Sequence, residues 1–182
     1  MGIIHHHAPP NRRGTIPIPM KTKHPSEFRL VPLRDARSTA DTYDTPERIW
    51  EYIQANIEQS PQADPTHEQF VVILLNFQRR ITGHLFLSTG TQDTLLVHPA
   101  DVFRAAIVSG ASAIVCVHNH PSGDPSPSDA DVKVTRDFIR GGNLLKIQVF
   151  DHVVWGNLCV GYNDAPGFKR FDSLRELGYW SI

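Results

Sequence analysis

Two histidines one residue apart, His118 and His120, lie in the run 117–131 together with three aspartates, Asp124, Asp129 and Asp131, among small residues and prolines. The residues before them, 112–117, are apolar enough for a buried strand, and residues i and i+2 of a strand point to the same side. Both imidazoles can therefore converge on one point where the strand ends. A carboxylate in the first turn of a following helix can return to that point, and Asp131 is placed to do so. Two imidazoles and one carboxylate make a catalytic-type zinc site, with three protein ligands and a fourth position left for water.

The positioning elements can be read from periodicity. Thr45 followed by Pro46 reads as a helix cap with proline at the first helical position. Ile49, Trp50, Ile53 and Ile57 continue at helical spacing, which predicts a helix over about 46–58. A Pro-rich break over 60–65 follows, and the main domain is expected from residue 66. The run 68–76 is apolar nearly throughout and reads as a central strand, with 80–89 as its partner across a short turn. A helix is predicted over 99–109, with Val102, Phe103, Ala106 and Ile107 on one face and Gly110 as its stop. A second is predicted over 129–140, ended by Gly141-Gly142. Residues 144–155 read as a strand or hairpin, 157–162 as a short strand, and 172–178 as a last helical turn. Strands and helices alternate, so the fold class is α/β with a mixed β-sheet flanked by helices.

The 182 residues suit one domain with terminal segments to spare, and 40% hydrophobic content is enough for a core. No apolar run approaches the ~20 residues that span a bilayer, and the first residues lack the apolar core of a signal peptide. Cys116 and Cys159 each lie in an apolar segment without Cys-x-x-Cys spacing, so buried thiols in a reducing cytoplasm are expected. Residues 1–40 carry seven Lys/Arg and two Asp/Glu, a balance of +5, whereas residues 41–182 carry eleven and seventeen, a balance of −6. The body therefore lacks the basic character of a nucleic-acid binder. The arm over 1–40, rich in proline and without sustained apolar period, is expected to be irregular, with an extended stretch near 28–33 as its one candidate strand. Its tract His5, His6, His7 can bind metal adventitiously without belonging to a site. Residues 41–65 form the N-terminal helix and linker, and 66–182 the domain proper.

His-x-His, seven residues, Ser, two residues, Asp is satisfied by His118, His120, Ser128 and Asp131. This pattern resembles the JAMM (JAB/MPN) metalloprotease superfamily. The fuller wording His-Asn-His-Pro-Ser-Gly-Asp-Pro-x-Pro-Ser-x-x-Asp resembles its bacterial RadC branch, over roughly residues 68–156. The helix-hairpin-helix module of typical RadC proteins has no visible counterpart in the first 60 residues. The resemblance implies a cytidine-deaminase-like fold, one Zn²⁺ held by His118, His120 and Asp131 in preference to Asp124 or Asp129, and hydrolysis of peptide or isopeptide bonds. It further implies Glu68, at the head of the first sheet strand, as the carboxylate that takes a proton from water and passes it to the leaving amine. Ser128 is implied as a donor to the oxyanion.

Plainer readings stand beside these. Ser128 and Asp131 have capping-box-like spacing, so a structural cap accounts for both if the histidines are set aside. Asp124 and Asp129 read as loop and helix-start acids, His67 as a poor ligand candidate that points away from Glu68's side if both are in the strand, and His84 and His98 as structural. His152 and Asp151 either orient a ligand or are satisfied buried polar groups. The RadC name also attaches to DNA repair, which makes nucleic-acid binding or processing the alternative, with a non-catalytic scaffold as a third reading. A single zinc and an acidic body suit phosphodiester chemistry poorly. The zinc deaminase pattern of His-x-Glu with Pro-Cys-x-x-Cys is absent.

Overall fold

The computed structural model describes residues 41–89, 97–156 and 169–181. The arm over 1–40 with its three histidines and its candidate strand near 28–33, the short strand expected at 157–162, and Cys159 lie outside the described residues.

Thr45 caps α1 (Pro46–Tyr52), its hydroxyl accepting from the Arg48 N–H, with proline at the helix start as read from the sequence. The helix continues as a π-helical turn over Ile53–Ile57, where the Glu58 N–H reaches back five residues to the Ile53 carbonyl. The strands are β1 (Gln69–Leu75), β2 (Ile81–Thr89), β3 (Ala113–His120), β4 (Gln148–Gly156) and β5 (Phe171–Ser173), and the other two helices are α2 (Pro99–Ser109) and α3 (Asp129–Leu145). The sheet order is β2-β1-β3-β4-β5. Only β3 and β4 are parallel; the other neighbours are antiparallel. The result is a mixed α/β domain with β1 and β3 at its centre.

Strand periodicity divides the core into two layers. Val71, Ile73 and Leu75 of β1 and Val115 and Val117 of β3 face Ile49, Trp50, Ile53 and Ile57, so the N-terminal helix shares its core with the sheet. Phe70, Val72 and Leu74, with Ile114 and Cys116, face Phe103 and Ala106 of α2 and Phe138 and Ile139 of α3. His118 follows the same alternation onto the α2/α3 side, where it lies against Phe70.

Three local readings change. In α2 the buried face contains Ala105, while Ile107 is 58% exposed; Gly110 ends the helix in the left-handed region as expected. The Gly141-Gly142 pair does not end α3, which runs on to Leu145 and turns at Lys146. These glycines serve close approach: a Cβ on Gly141 would lie 2.8 Å from the Phe103 ring, and one on Gly142 would lie 2.5 Å from the Ile147 carbonyl oxygen. Asp172 belongs to β5, and the helical turn begins at Ser173, whose carbonyl accepts from the Leu177 N–H. Gly142→Ala is expected to lower stability by about 1–3 kcal/mol, since overpacking against a backbone carbonyl outweighs the gain in helix propensity. The urea midpoint measures this, and an unchanged or higher midpoint would mean that the α3–β4 connection relaxes freely.

Candidate metal centre

Four side chains from three elements meet at the end of the central strands. His118 and His120 are on β3, Glu68 immediately precedes β1, and Asp131 is the third residue of α3. One ligand atom from each lies within 4.8 Å of the others, making a group that could hold a metal ion. His118 Nε2 is 3.0 Å from His120 Nε2 and 3.2 Å from Asp131 Oδ1, and His120 Nε2 is 3.5 Å from Asp131 Oδ2. Ligands at ~2.0–2.1 Å from a tetrahedral ion are about 3.3 Å apart, which the edges from His118 Nε2 to His120 Nε2 and to Asp131 Oδ1 approach, while the His120 edge runs to the other carboxylate oxygen, Oδ2. Glu68 Oε1 stands farther off, 3.7 Å from His118 Nε2.

The outer nitrogens of both imidazoles are occupied. His120 Nδ1 donates to the Asp124 carbonyl at 2.8 Å, and His118 Nδ1 lies 2.9 Å from His152 Nε2. Each ring therefore turns its Nε2 toward the same point, as metal-binding histidines do when a partner fixes the other nitrogen. Asp131 Oδ2 accepts from the Ser128 N–H at 2.7 Å and the Ser128 hydroxyl at 2.6 Å, and Ser128 Oγ accepts from the Asp131 N–H. This is a complete capping box with Asp in the usual Glu or Gln place. It leaves Asp131 Oδ1 facing His118. Burial alone would push the Asp131 carboxyl up, but the His118 and His120 imidazoles and the Ser128 hydroxyl hold it well below the ordinary carboxylate range. Burial works against a charged His120, yet Asp131, the Asp124 carbonyl and Glu68 raise its imidazole above the ordinary value.

The remaining acids and histidines have other partners. Asp124 accepts from the Ser126 N–H through its side chain while its carbonyl steadies His120. His67 pairs with Asp64, His84 with the Tyr52 hydroxyl, and His98 caps α2 by accepting from the Ala100 N–H. His152 is fully buried behind His118, and burial holds its imidazole well below the ordinary histidine range. Asp151 is buried on β4 and accepts from the Ser173 hydroxyl and the His152 and Arg175 N–H groups; burial pushes its carboxyl up to about 6 against these donors.

Sequence reasoning missed two contributors. Asn119, between the two histidines, alternates to the other face of β3 and is 2% exposed. Its Oδ1 accepts from the Gln69 N–H at 2.7 Å and its Nδ2 donates to the His67 carbonyl at 3.0 Å. The amide thus grips the chain on both sides of Glu68, just beyond the last backbone pair of β1 with β3, Phe70 with His118. A polar residue in a strand otherwise apolar on that face was the available signal. Thr135, one turn after Asp131 on the apolar stripe of α3, is fully buried and touches both Asp131 and His152. Asn119→Ala is expected to destabilise the fold by about 1–3 kcal/mol, because the buried Gln69 N–H loses its acceptor. Faster hydrogen exchange at the Gln69 amide is the matching local readout; unchanged exchange there would refute the grip.

A cavity of about 270 Å³ opens beside Asp131, lined by Phe70, Val97, Ala130, Lys133, Val134 and Asp137. Its wall is mostly apolar, with one base among the lining residues.

The family model described as a RadC-like JAB domain matches residues 43–165. Curated relatives with similar sequences include the UPF0758 protein TTE0897 of Caldanaerobacter subterraneus subsp. tengcongensis, 45% identical over 115 residues, which are 63% of this chain and 45% of that protein. The UPF0758 protein YsxA of Bacillus subtilis is 38% identical over 69% of this chain and 49% of its own length. The UPF0758 protein SH1266 of Staphylococcus haemolyticus is 38% identical over 70% of this chain and 51% of its own. The matched part spans about half the length of these relatives.

Proposed function

Because the chain belongs to the RadC-like JAB domain family, we propose that it is a zinc-dependent hydrolase of amide bonds, peptide or isopeptide. The observation that carries this reading is the convergence of His118 Nε2, His120 Nε2 and the Asp131 carboxylate, with both histidine Nδ1 atoms tied back. Two nitrogens and one carboxylate oxygen are a donor set suited to zinc. In this proposal these three residues hold the ion, and a bound zinc supplies Lewis acidity that lowers the pKa of coordinated water to about 7.

Glu68 is the general base and then the general acid. The residue is 8% exposed, its carboxylate faces the ligand group without closing onto it, and its backbone is gripped by Asn119. It accepts a proton from water and returns it to the leaving amine, and burial with a fixed backbone favours both transfers by keeping competing water out and the oxygen in place. Ser128 has two duties in the proposal. The first is to aim Asp131, since its N–H and hydroxyl both donate to Oδ2. The second, donation to an oxyanion, requires the hydroxyl to leave Oδ2, with the Ser128 N–H still holding the carboxylate. Ser128→Ala is expected to cost about 1 kcal/mol of stability through the lost cap. A fall in hydrolysis of about 10²-fold or more at unchanged zinc content would identify the second duty; a loss confined to zinc affinity would leave only the first.

The cavity beside Asp131 supports a peptide-like substrate over a nucleic acid. Its lining offers Phe70, Val97 and Val134 to an apolar side chain, whereas the one lysine and two aspartates are a poor cradle for phosphates. The test is reconstitution with zinc, then hydrolysis of a mixed peptide pool followed by mass spectrometry, before and after chelation. One zinc per chain and cleavage that stops on chelation and returns with zinc are expected. Zinc well below one per chain, or cleavage indifferent to chelation, would reject the proposal.

A further inference from the structure

Behind the ligand group runs a hydrogen-bond chain through residues that touch no solvent. The Thr135 hydroxyl donates to the Asp131 backbone carbonyl at 2.5 Å, and Thr135 Oγ1 lies 2.6 Å from His152 Nδ1. His152 Nε2 lies 2.9 Å from His118 Nδ1. Thr135, His152 and His118 are each 0% exposed. We infer that His152 and Thr135 are positioning residues that hold His118 in the tautomer whose bare nitrogen is Nε2, the one facing the other ligands, along a chain whose direction is set by the Asp131 carbonyl. This rests on the metal-centre reading above.

The direction follows from counting protons. A carbonyl oxygen can only accept, so the single hydroxyl proton of Thr135 goes to it. Thr135 Oγ1 must then meet His152 Nδ1 with a lone pair, which places the ring proton of His152 on Nδ1. The neutral His152 ring consequently presents a bare Nε2, and that nitrogen accepts from a proton on His118 Nδ1. The neutral His118 ring is left with its lone pair on Nε2, the atom 3.2 Å from Asp131 Oδ1 and 3.0 Å from His120 Nε2. The opposite direction would set two lone pairs against each other at the carbonyl, beside side chains closed off from solvent.

A threonine bonding to the carbonyl four residues earlier is common in helices and accounts for that leg alone. It does not account for the second contact, which joins helix α3 to His152 on β4 and through it to β3. The chain also returns to its origin, because Asp131 supplies both the carbonyl at one end and the carboxylate beside His118 at the other. Two would-be ligands from a strand and a helix are thus fixed relative to each other by residues that never touch the ion. Phe70 and Phe138 pack against the His152 ring at 5.6 and 6.4 Å between centroids, which keeps it from turning over.

The test uses the full chain with zinc as the probe. Thr135→Val keeps the volume and the branched Cβ but removes the hydroxyl, and Thr135→Ser restores it. Competition with a chromophoric chelator should show T135V binding zinc about 10–100-fold more weakly, with T135S close to wild type. Long-range ¹H–¹⁵N spectra of the zinc-free wild type at about pH 8, above the ordinary imidazole range, should show the His118 proton on Nδ1. The same spectra of T135V should show both tautomers. A folded T135V that binds zinc as tightly as wild type, or a wild-type His118 protonated on Nε2, overturns the inference. If T135V does not fold, the wild-type spectrum decides alone. If the wild type takes up no zinc, the metal-centre reading fails, and the spectrum still decides the direction of the chain.

Discussion

Glu68→Gln is expected to retain one zinc per chain and to lower kcat/KM for amide hydrolysis by about 10²–10⁴-fold, the usual worth of a positioned general base. Glutamine matches glutamate in shape and keeps an oxygen where the carboxylate stood, so the packing around His118 is preserved while the proton acceptor is lost. The magnitude depends on placement as well as on chemistry. Asn119 grips both peptide units beside Glu68, so the backbone cannot shift to bring a shorter side chain forward. Glu68→Asp is therefore expected to fall well below wild type rather than to substitute for it, as a displacement of about 1 Å at a reacting group can cost about 10²-fold. Steady-state kinetics with metal analysis on the same samples separate the outcomes. Full activity in Glu68→Gln removes Glu68 from the mechanism, whereas loss of zinc along with activity makes it a ligand rather than a base, since its oxygen is 3.7 Å from His118 Nε2.

How far the sequence carries depends on the range of the interaction that decides each feature. The choice of Asp131 among the three aspartates comes from the family pattern, while the buried strands β1 and β3, the N-cap of α1 and the glycine stop of α2 follow from local periodicity and spacing. The end of α3 does not. Gly141-Gly142 carries a stop signal locally, but Phe103 on α2 and the Ile147 carbonyl need the missing Cβ atoms, and that contact is invisible along the chain. Helical spacing puts Ile107 on the apolar face, yet it is 58% exposed while Ala105 is buried, since a helical face is chosen by what packs on it. Asn119 and Thr135 look like ordinary polar insertions in apolar runs. Only their partners 50 and 17 residues away reveal what they hold. Ser128 shows that two readings of one pattern need not compete: the capping box is formed in full, and it is the device that aims Asp131.

His118→Ala should uncouple zinc from stability. A ligand that binds only the folded chain stabilises it by about 2.7 kcal/mol at a hundredfold excess over Kd. The wild type should therefore gain thermal stability with added zinc, and the variant should gain almost none. The zinc-free comparison carries separate information. Removing the imidazole leaves a void beside Phe70 and deprives His152 Nε2 of its donor, which together cost about 2–4 kcal/mol. The variant also loses the contact between the His118 and His120 ring nitrogens, 3.0 Å apart. His120→Ala supplies the control. Its ring is more exposed and bonds outward to the Asp124 carbonyl rather than to a buried partner. It should cost less stability without zinc and still abolish the zinc-dependent gain. Scanning calorimetry of the three proteins with and without zinc reads all of these quantities together. An undiminished zinc-dependent shift in both variants would show that the ion binds elsewhere on the chain.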